Sequence, residues 1–451
     1  MAAFFDRSHS IAKPGFNRWL VPPAALCIHL CIGEAYAFSV FTKPMSQAIG
    51  ITAPAATDWS VPAIGWIFSI AIVFLGLSSA VFGKWVERAG PRAAMFVAAL
   101  CFCTGLVVAS LGVDAHQLWL VYLGYGAIGG CGLGIGYISP VSTLVKWFPD
   151  RPGLATGTAI MGFGGGALIG APLSVLLMKH FANATNTGVA QTMIVLAICY
   201  FIWMFVGSMI VRVPSDGWQP QGYVAPTASR GLITSRNVVL EQALRTPQFY
   251  LLWIVLCMNV TAGIGVLGQA SLMIQEMFGV TAVAAAGFVG LMSIFNMAGR
   301  IGWASASDFM GRKTTYTVFF ILGAILYVLA PTFGHMHAIV LFVLAFLIIL
   351  SMYGGGFATI PAYLRDLFGT VNVGAIHGAL LTAWSAAGVL GPVLFNYIRE
   401  YEINHGVAKA DAYSVTMYVM AGLLVVGLIC NLAVRPVHES RYLEAEHAAA
   451  D

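Results

Sequence analysis

Charge is what this chain lacks. Asp, Glu, Lys and Arg make up 9% of its 451 residues, against 59% hydrophobic ones, and its mean hydropathy is +0.84. So little charge cannot cover the surface of a water-soluble domain. Cysteine is also sparse. All eight (27, 31, 101, 103, 131, 199, 257 and 430) fall in apolar runs, with no His or carboxylate at metal-ligand spacing. They read as small packing residues, and neither metal nor cofactor is expected. The glycine-rich stretches have no strand before them and no Walker lysine behind them, which argues against a nucleotide loop. No nucleophile–base set appears, which argues against an enzyme.

What is there is apolar length. Twelve stretches reach membrane-spanning size, from 18–43 to 412–434, the fourth being 117–140, the eighth 281–306, the tenth 338–363 and the eleventh 373–398. Such runs must be helices, since lipid leaves only helices or closed barrels with satisfied backbones, and these are too long for barrel strands. The first does not read as a cleavable signal, because it is too long and follows a polar tail. Of the 22 Lys and Arg, seventeen fall on the side of the N-terminus, four on the other, and Arg300 lies within a span. The positive-inside bias then puts both termini in the cytoplasm, as an even number of spans requires. The net charge of +4 reflects that topology, and nucleic acid is not an expected partner.

An internal repeat organises the chain. Glu87 and Gly90, before Pro91-Arg92, recur as Asp308 and Gly311, before Arg312-Lys313, with an offset of 221; Pro140/Pro361, Gly157/Gly378 and Gly170/Gly391 share it. The fold expected is therefore all-α, with twelve transmembrane helices in two parallel six-helix halves. The halves are 1–212 and 247–435, with a cytoplasmic linker at 213–246 and a tail at 436–451. A short surface helix is expected near 236–246. Glu87, Arg88 and Gly90, like Asp308, Gly311 and Arg312, read as charge-latched cytoplasmic turns that gate the structure. The glycines of GYGAIGGCGLGIGYISP and SMYGGGFATIPAY suit either a moving hinge or close static packing.

Several polar side chains lie where lipid makes them costly. Arg300 is eight residues inside the Asp308 turn, about 12 Å at helical rise, in a hydrocarbon core roughly 30 Å thick. A guanidinium keeps its charge, so it needs a partner, a polar cavity or an anionic ligand. Asn296, one turn earlier, shares its face. Tyr137 sits at similar depth and suits either a bound carboxylate or a bond across helices. Tyr36, Tyr353, Phe357 and Trp384 are candidate walls. Glu34 and His29 lie in the first span. A buried carboxyl goes neutral unless a cation is near, so Glu34 reads as a proton carrier, as a permanently protonated packing residue, or as a partner of Arg300 in the empty state. His29 and His377 are further proton or donor candidates.

The turns, the repeat and the twelve spans resemble the major facilitator superfamily over essentially the whole chain. NRWLVPPAALCIHLCIGEAYAFSVF (17–41), RTPQFYLLWIVLCMNVTAGIG (245–265) and YGGGFATIPAYLRDLFGT (353–370) resemble its oxalate/formate antiporter family. The resemblance implies alternating access and a small organic anion. That family's oxalate exchangers pair an arginine in the eighth helix with a lysine in the eleventh; Arg300 matches the first, and no lysine lies in the eleventh span. The monocarboxylate transporters, which resemble the chain around Arg300, usually have an acid where Asn296 stands. One cation complements one carboxylate, and a second carboxylate would be left unpaired in low dielectric. The expected function is secondary transport of a monocarboxylate such as formate, lactate or pyruvate through a central cavity. The alternatives are oxalate/formate exchange and a non-transporting membrane sensor. The expected surroundings are the lipid bilayer of the inner (plasma) membrane, and the expected state is a monomer.

Overall fold

The computed structural model describes residues 6–223 and 231–443, so the linker positions 224–230 and the tail positions 444–451 lie outside the described residues. Among the described residues the secondary structure is helical, with two isolated β-bridges and no strand. The main helices are α1 (Val21–Ile32), α2 (Val61–Ala89), α3 (Pro91–Asp114), α4 (Gly130–Trp147), α5 (Pro152–Phe181), α6 (Val189–Ile210), α7 (Pro247–Phe278), α8 (Ala282–Met310), α9 (Arg312–His335), α10 (Ile339–Phe368), α11 (Val373–Leu380 and Thr382–Asn404) and α12 (Ser414–Ala433). Among the described residues eleven helices are long and apolar enough to cross a membrane; α8, 29 residues long, is a twelfth and carries Arg300. The linker helix is a single turn, Leu240–Ala243.

The repeat is written in the element bounds. α2 and α8 are each 29 residues and α3 and α9 each 24. The turns between them are single glycines, Gly90 at φ +82° and Gly311 at φ +85°, a backbone region that only glycine enters cheaply. Packing repeats as well. α2 lies on α4 and α3 on α6; α8 lies on α10 and α9 on α12. By packing the chain divides into two compact units. One comprises Met1–Pro149, Thr158–Gln221 and Gly374–Ser385; the other Asp150–Gly157, Gly222–Val373 and Ala386–Asp451.

Among the described residues three spans depart from regular helix, the eleventh by a break at Leu381. The first is α1, then a 3-10 stretch Gly33–Ala37, then Ser39–Met45. The fourth contains a π-helical stretch, Tyr122–Gly129, ahead of α4. Around them large apolar side chains such as Leu176, Trp203 and Ile429 are more than half exposed, a surface that suits acyl chains and not water.

Small residues set the distance between helices. A Cβ on Gly33 would fall 2.5 Å from the carbonyl oxygen of Phe163, and one on Gly166 2.5 Å from the backbone of Gly33. The first span, at Gly33, and α5 therefore touch backbone to backbone, as small-residue faces allow. Gly166→Leu should cost roughly 1–3 kcal/mol of stability by overpacking, seen as a lower apparent melting temperature in detergent. Gly302→Ala, with nothing within 4 Å, should leave it unchanged or slightly raised.

Candidate functional site

Arg300 is 0% exposed on α8, and Asn296 one turn before it is 3% exposed. The guanidinium Nε donates to Asn296 Oδ1 at 3.2 Å, and its carbon lies 5.4 Å from the centre of the Phe357 ring, a cation–π distance. Tyr353 meets Phe357 edge-on at 5.3 Å and packs against Gly263 of α7. The YGGGF run of α10 brings these groups together. A Cβ on Gly354 would fall 2.1 Å from the Asn296 carbonyl oxygen, and one on Gly299 2.0 Å from that of Ser351. The close-packing role of these glycines is thus visible at Arg300. A neutral amide and an aromatic face fix the plane of the guanidinium.

Five other candidates meet in the first unit, around Tyr137. Its ring lies 5.4 Å from His29, 5.9 Å from His377 and 5.4 Å from Trp384. Phe163 closes the cluster, 5.6 Å from Tyr137, 5.2 Å from Trp384 and 5.0 Å from Tyr36. Sequence reasoning misses Phe163 because its stretch, MGFGGGALIGAP, reads as a glycine packing face; an aromatic set among glycines is the available signal. His29 Nδ1 sits 2.9 Å from the Ala159 carbonyl and Nε2 3.3 Å from that of Tyr137. His377 is 1% exposed, and neither ring nitrogen has a hydrogen-bond partner among the described residues.

Glu34 stands apart from that cluster. Its Oε2 accepts from the Tyr125 hydroxyl at 3.3 Å, so a phenol meets the carboxylate where Arg300 was one expected partner.

The two acid-bearing turns cap helices. Glu87 Oε1 accepts from the Gly374 amide at 3.0 Å, at the start of α11, while Oε2 pairs with Lys146. Arg88 is exposed. Asp308 accepts from the Gly153 and Leu154 amides at 2.9 and 3.0 Å, at the start of α5, and pairs with Arg312 at 2.6 Å. Arg312 also reaches Asp366 at 3.2 Å. Carboxylates at helix N-termini satisfy open amides and favour the dipole. Gly153 and Gly374 carry the repeat offset too, so each acid has an equivalent target.

Membrane-length helices that enclose a fixed cation and paired acidic turns define a multi-pass membrane protein of the transporter class. Residues 24–392 match the Major Facilitator Superfamily, and the chain belongs to it. It is 26% identical over 376 residues to the oxalate:formate antiporter of Oxalobacter formigenes, covering 83% of each chain. It is 25% identical over 394 residues to human monocarboxylate transporter 11, covering 85% of this chain and 77% of that one. The solved structure of the proton:xylose symporter XylE bound to 6-bromo-6-deoxy-D-glucose is similar in fold, with a TM-score of 0.69 and 15% identity over 99% of this chain and 100% of that one.

Asp308→Asn removes the charge that Arg312 and two amides share. Hydrogen bonds to charged groups contribute roughly 1.5–3 kcal/mol, so a loss of about that size is expected in thermal unfolding. Arg88→Gln, on an exposed side chain, should change stability by less than about 0.5 kcal/mol.

Proposed function

We propose that the chain is a secondary active carrier of small monocarboxylates such as formate, lactate or pyruvate, working by alternating access in the inner (plasma) membrane with both termini cytoplasmic. The observation that carries this reading is the fully enclosed guanidinium of Arg300, held in plane by Asn296 and Phe357. A planar fork of that kind suits the two oxygens of one carboxylate. Binding an anion there lowers the cost of closing a dry site over a lone charge, which is how a ligand shifts a two-state carrier. Within the first unit, Tyr137, Trp384, Tyr36 and Phe163 form an aromatic cluster of a kind that suits the apolar part of a short acid. Glu34, with His29 and His377 as further candidates, supplies proton coupling. The paired turns at Glu87 and Asp308 act as gates, holding helix starts until the carrier changes state.

A second reading, exchange of oxalate for formate, is favoured by the likeness to the antiporter of Oxalobacter formigenes. The chain has no lysine in its eleventh span, and a dicarboxylate would leave one charge without a fixed cation there. Counterflow of labelled oxalate against formate in proteoliposomes separates the two readings. It is expected to be weak beside counterflow of labelled lactate or pyruvate.

Arg300→Lys keeps the charge and loses the fork. One charge-assisted hydrogen bond contributes roughly 1.5–3 kcal/mol, so uptake of the labelled monocarboxylate should fall at least about tenfold. Wild-type uptake by that variant would remove Arg300 as the anion site.

A further inference from the structure

The seam between α7 and α11 in the second unit carries polar side chains to which the carrier reading gives no role. The two helices close on glycine. A Cβ on Gly391 would stand 2.7 Å from Ile264 Cγ2 and 2.9 Å from the Thr261 carbonyl oxygen, and one on Gly265 3.1 Å from the Gly391 carbonyl oxygen. One turn further along, the seam becomes polar, and Gln269 Nε2 donates to Asn396 Oδ1. Beyond that rung Arg399 Nε donates to Glu276 Oε2 at 3.1 Å and to the Tyr413 hydroxyl at 2.8 Å, while its Nη2 donates to Glu276 Oε1 at 2.5 Å. Gln269 precedes Glu276 by seven residues and Asn396 precedes Arg399 by three, about 10 and 5 Å at helical rise. The amides therefore lie on the hydrocarbon side of the ion pair, in the half of the span away from the linker.

These groups do not use up each other's donors. Asn396 is exposed, and its Nδ2 makes no hydrogen bond among the described residues; nor does Arg399 Nη1. The Arg399 side chain keeps 19% exposure. Three residues apart on a helix, the two open donors share one face of α11. The α7 side of the rung is open as well, since a Cβ on Gly268 would have nothing within 4 Å. Acyl chains offer no acceptor to an amide or a guanidinium, so a donor facing them costs free energy that water or an anion would recover. The first repeat shows the lipid-suited version of the same helix. Gly170 is the mate of Gly391, and at the offsets of Asn396 and Arg399 α5 has Val175 and Met178, Val175 being 49% exposed. One repeat has hydrocarbon at these positions and the other has two donors.

We infer that the α11 face at Asn396 and Arg399 borders water and forms an outer carboxylate site, in which one oxygen of the anion accepts from Asn396 Nδ2 and the other from Arg399 Nη1. Glu276 offsets the charge of Arg399, and its two-oxygen grip fixes the plane of the guanidinium. The anion is then held by two aimed donors rather than by a bare charge, weakly enough to be released again. Gln269 is a positioning residue: by donating to Asn396 Oδ1 it leaves Nδ2 as the open end of that amide. The inference rests on the carrier reading and adds a second place, apart from Arg300, that meets the same class of anion.

The test uses the full-length protein in proteoliposomes with labelled lactate and labelled pyruvate. Asn396→Leu should raise the KM of uptake about three- to tenfold, for one hydrogen bond to a charged group lost at an exposed site. Counterflow at saturating substrate should be retained, which shows that the variant is folded and that Arg300 still serves. Wetness is read separately, with a charged methanethiosulfonate added on both sides of the membrane. Asn396→Cys should react with it, since attack needs a thiolate and hence water, and excess lactate should slow the reaction severalfold. Ile429→Cys, at an α12 position 62% exposed, should stay at the level of the wild-type chain with its eight cysteines. Asn396→Cys as inert as Ile429→Cys overturns the site, because the face then looks to lipid or to another copy of the chain. A reaction that lactate does not slow, or an unchanged KM in Asn396→Leu, overturns it too. Wild-type protein that shows no counterflow of either acid overturns the carrier reading itself, which is a different failure.

Discussion

A guanidinium that cannot lose its proton, enclosed in a helix that faces hydrocarbon, constrains everything packed around it. On α8, neighbouring groups meet Arg300 at its Nε donor and at its face: Asn296 one turn below and Phe357 across. Phe357 can reach it because glycines lie on both helices where α8 and α10 touch, Gly354 of α10 against Asn296 and Gly299 of α8 against Ser351. The small residues and the charge belong to one arrangement. The glycines bring the backbones together, and the close approach encloses the cation in neutral groups. Larger side chains at 354 or 299 would open that enclosure and leave the charge facing lipid.

Close contact of the same kind organises the first unit, with a different result. There the glycine row of α5 presses Gly162 against His29, Gly166 against Gly33 and Gly170 against Glu34. The row leaves the polar residues of the first span to be satisfied from the fourth and fifth. His29 finds carbonyls of Ala159 and Tyr137, and Glu34 finds the phenol of Tyr125. Lipid supplies no hydrogen bonds, so each polar residue in a span must be met by another element of the bundle. The helices bend or overwind where meeting it requires that.

How much of this was legible in the chain depended on the range of the physics involved. Span number, helical class and the repeat were readable because the bilayer demands length and apolarity locally, and because Glu87-x-x-Gly90 and Asp308-x-x-Gly311 repeat within single turns. The Asn296–Arg300 contact was readable for the same reason, being one helical turn. Tyr125 as the partner of Glu34 was not, since it depends on the twist of two irregular stretches that no composition signal marks. Lys146 as the partner of Glu87 was hidden similarly: nearby Arg88 and Arg92 compete for the acid on paper, and tertiary packing chooses the lysine. Phe163 was hidden by its own neighbours, because a run of glycines reads as spacing and not as a wall.

The two units share element bounds, glycine turns and capping acids, so their differences carry the information about function. The fixed cation on α8 has no charged counterpart on α2, because the repeat mate of Arg300 is Ser79. The enclosed acid on the first span has no counterpart on α7, where Ile264 meets the mate of Gly170. An enclosed guanidinium and an enclosed carboxyl are thus divided between repeats that are otherwise alike. A chain built only for stability would gain nothing from either, since each replaces hydrocarbon by a group that must be desolvated. Placed one to a unit, each is desolvated within its own scaffold and is met there by neutral groups, the guanidinium by Asn296 and Phe357 and the carboxyl by Tyr125.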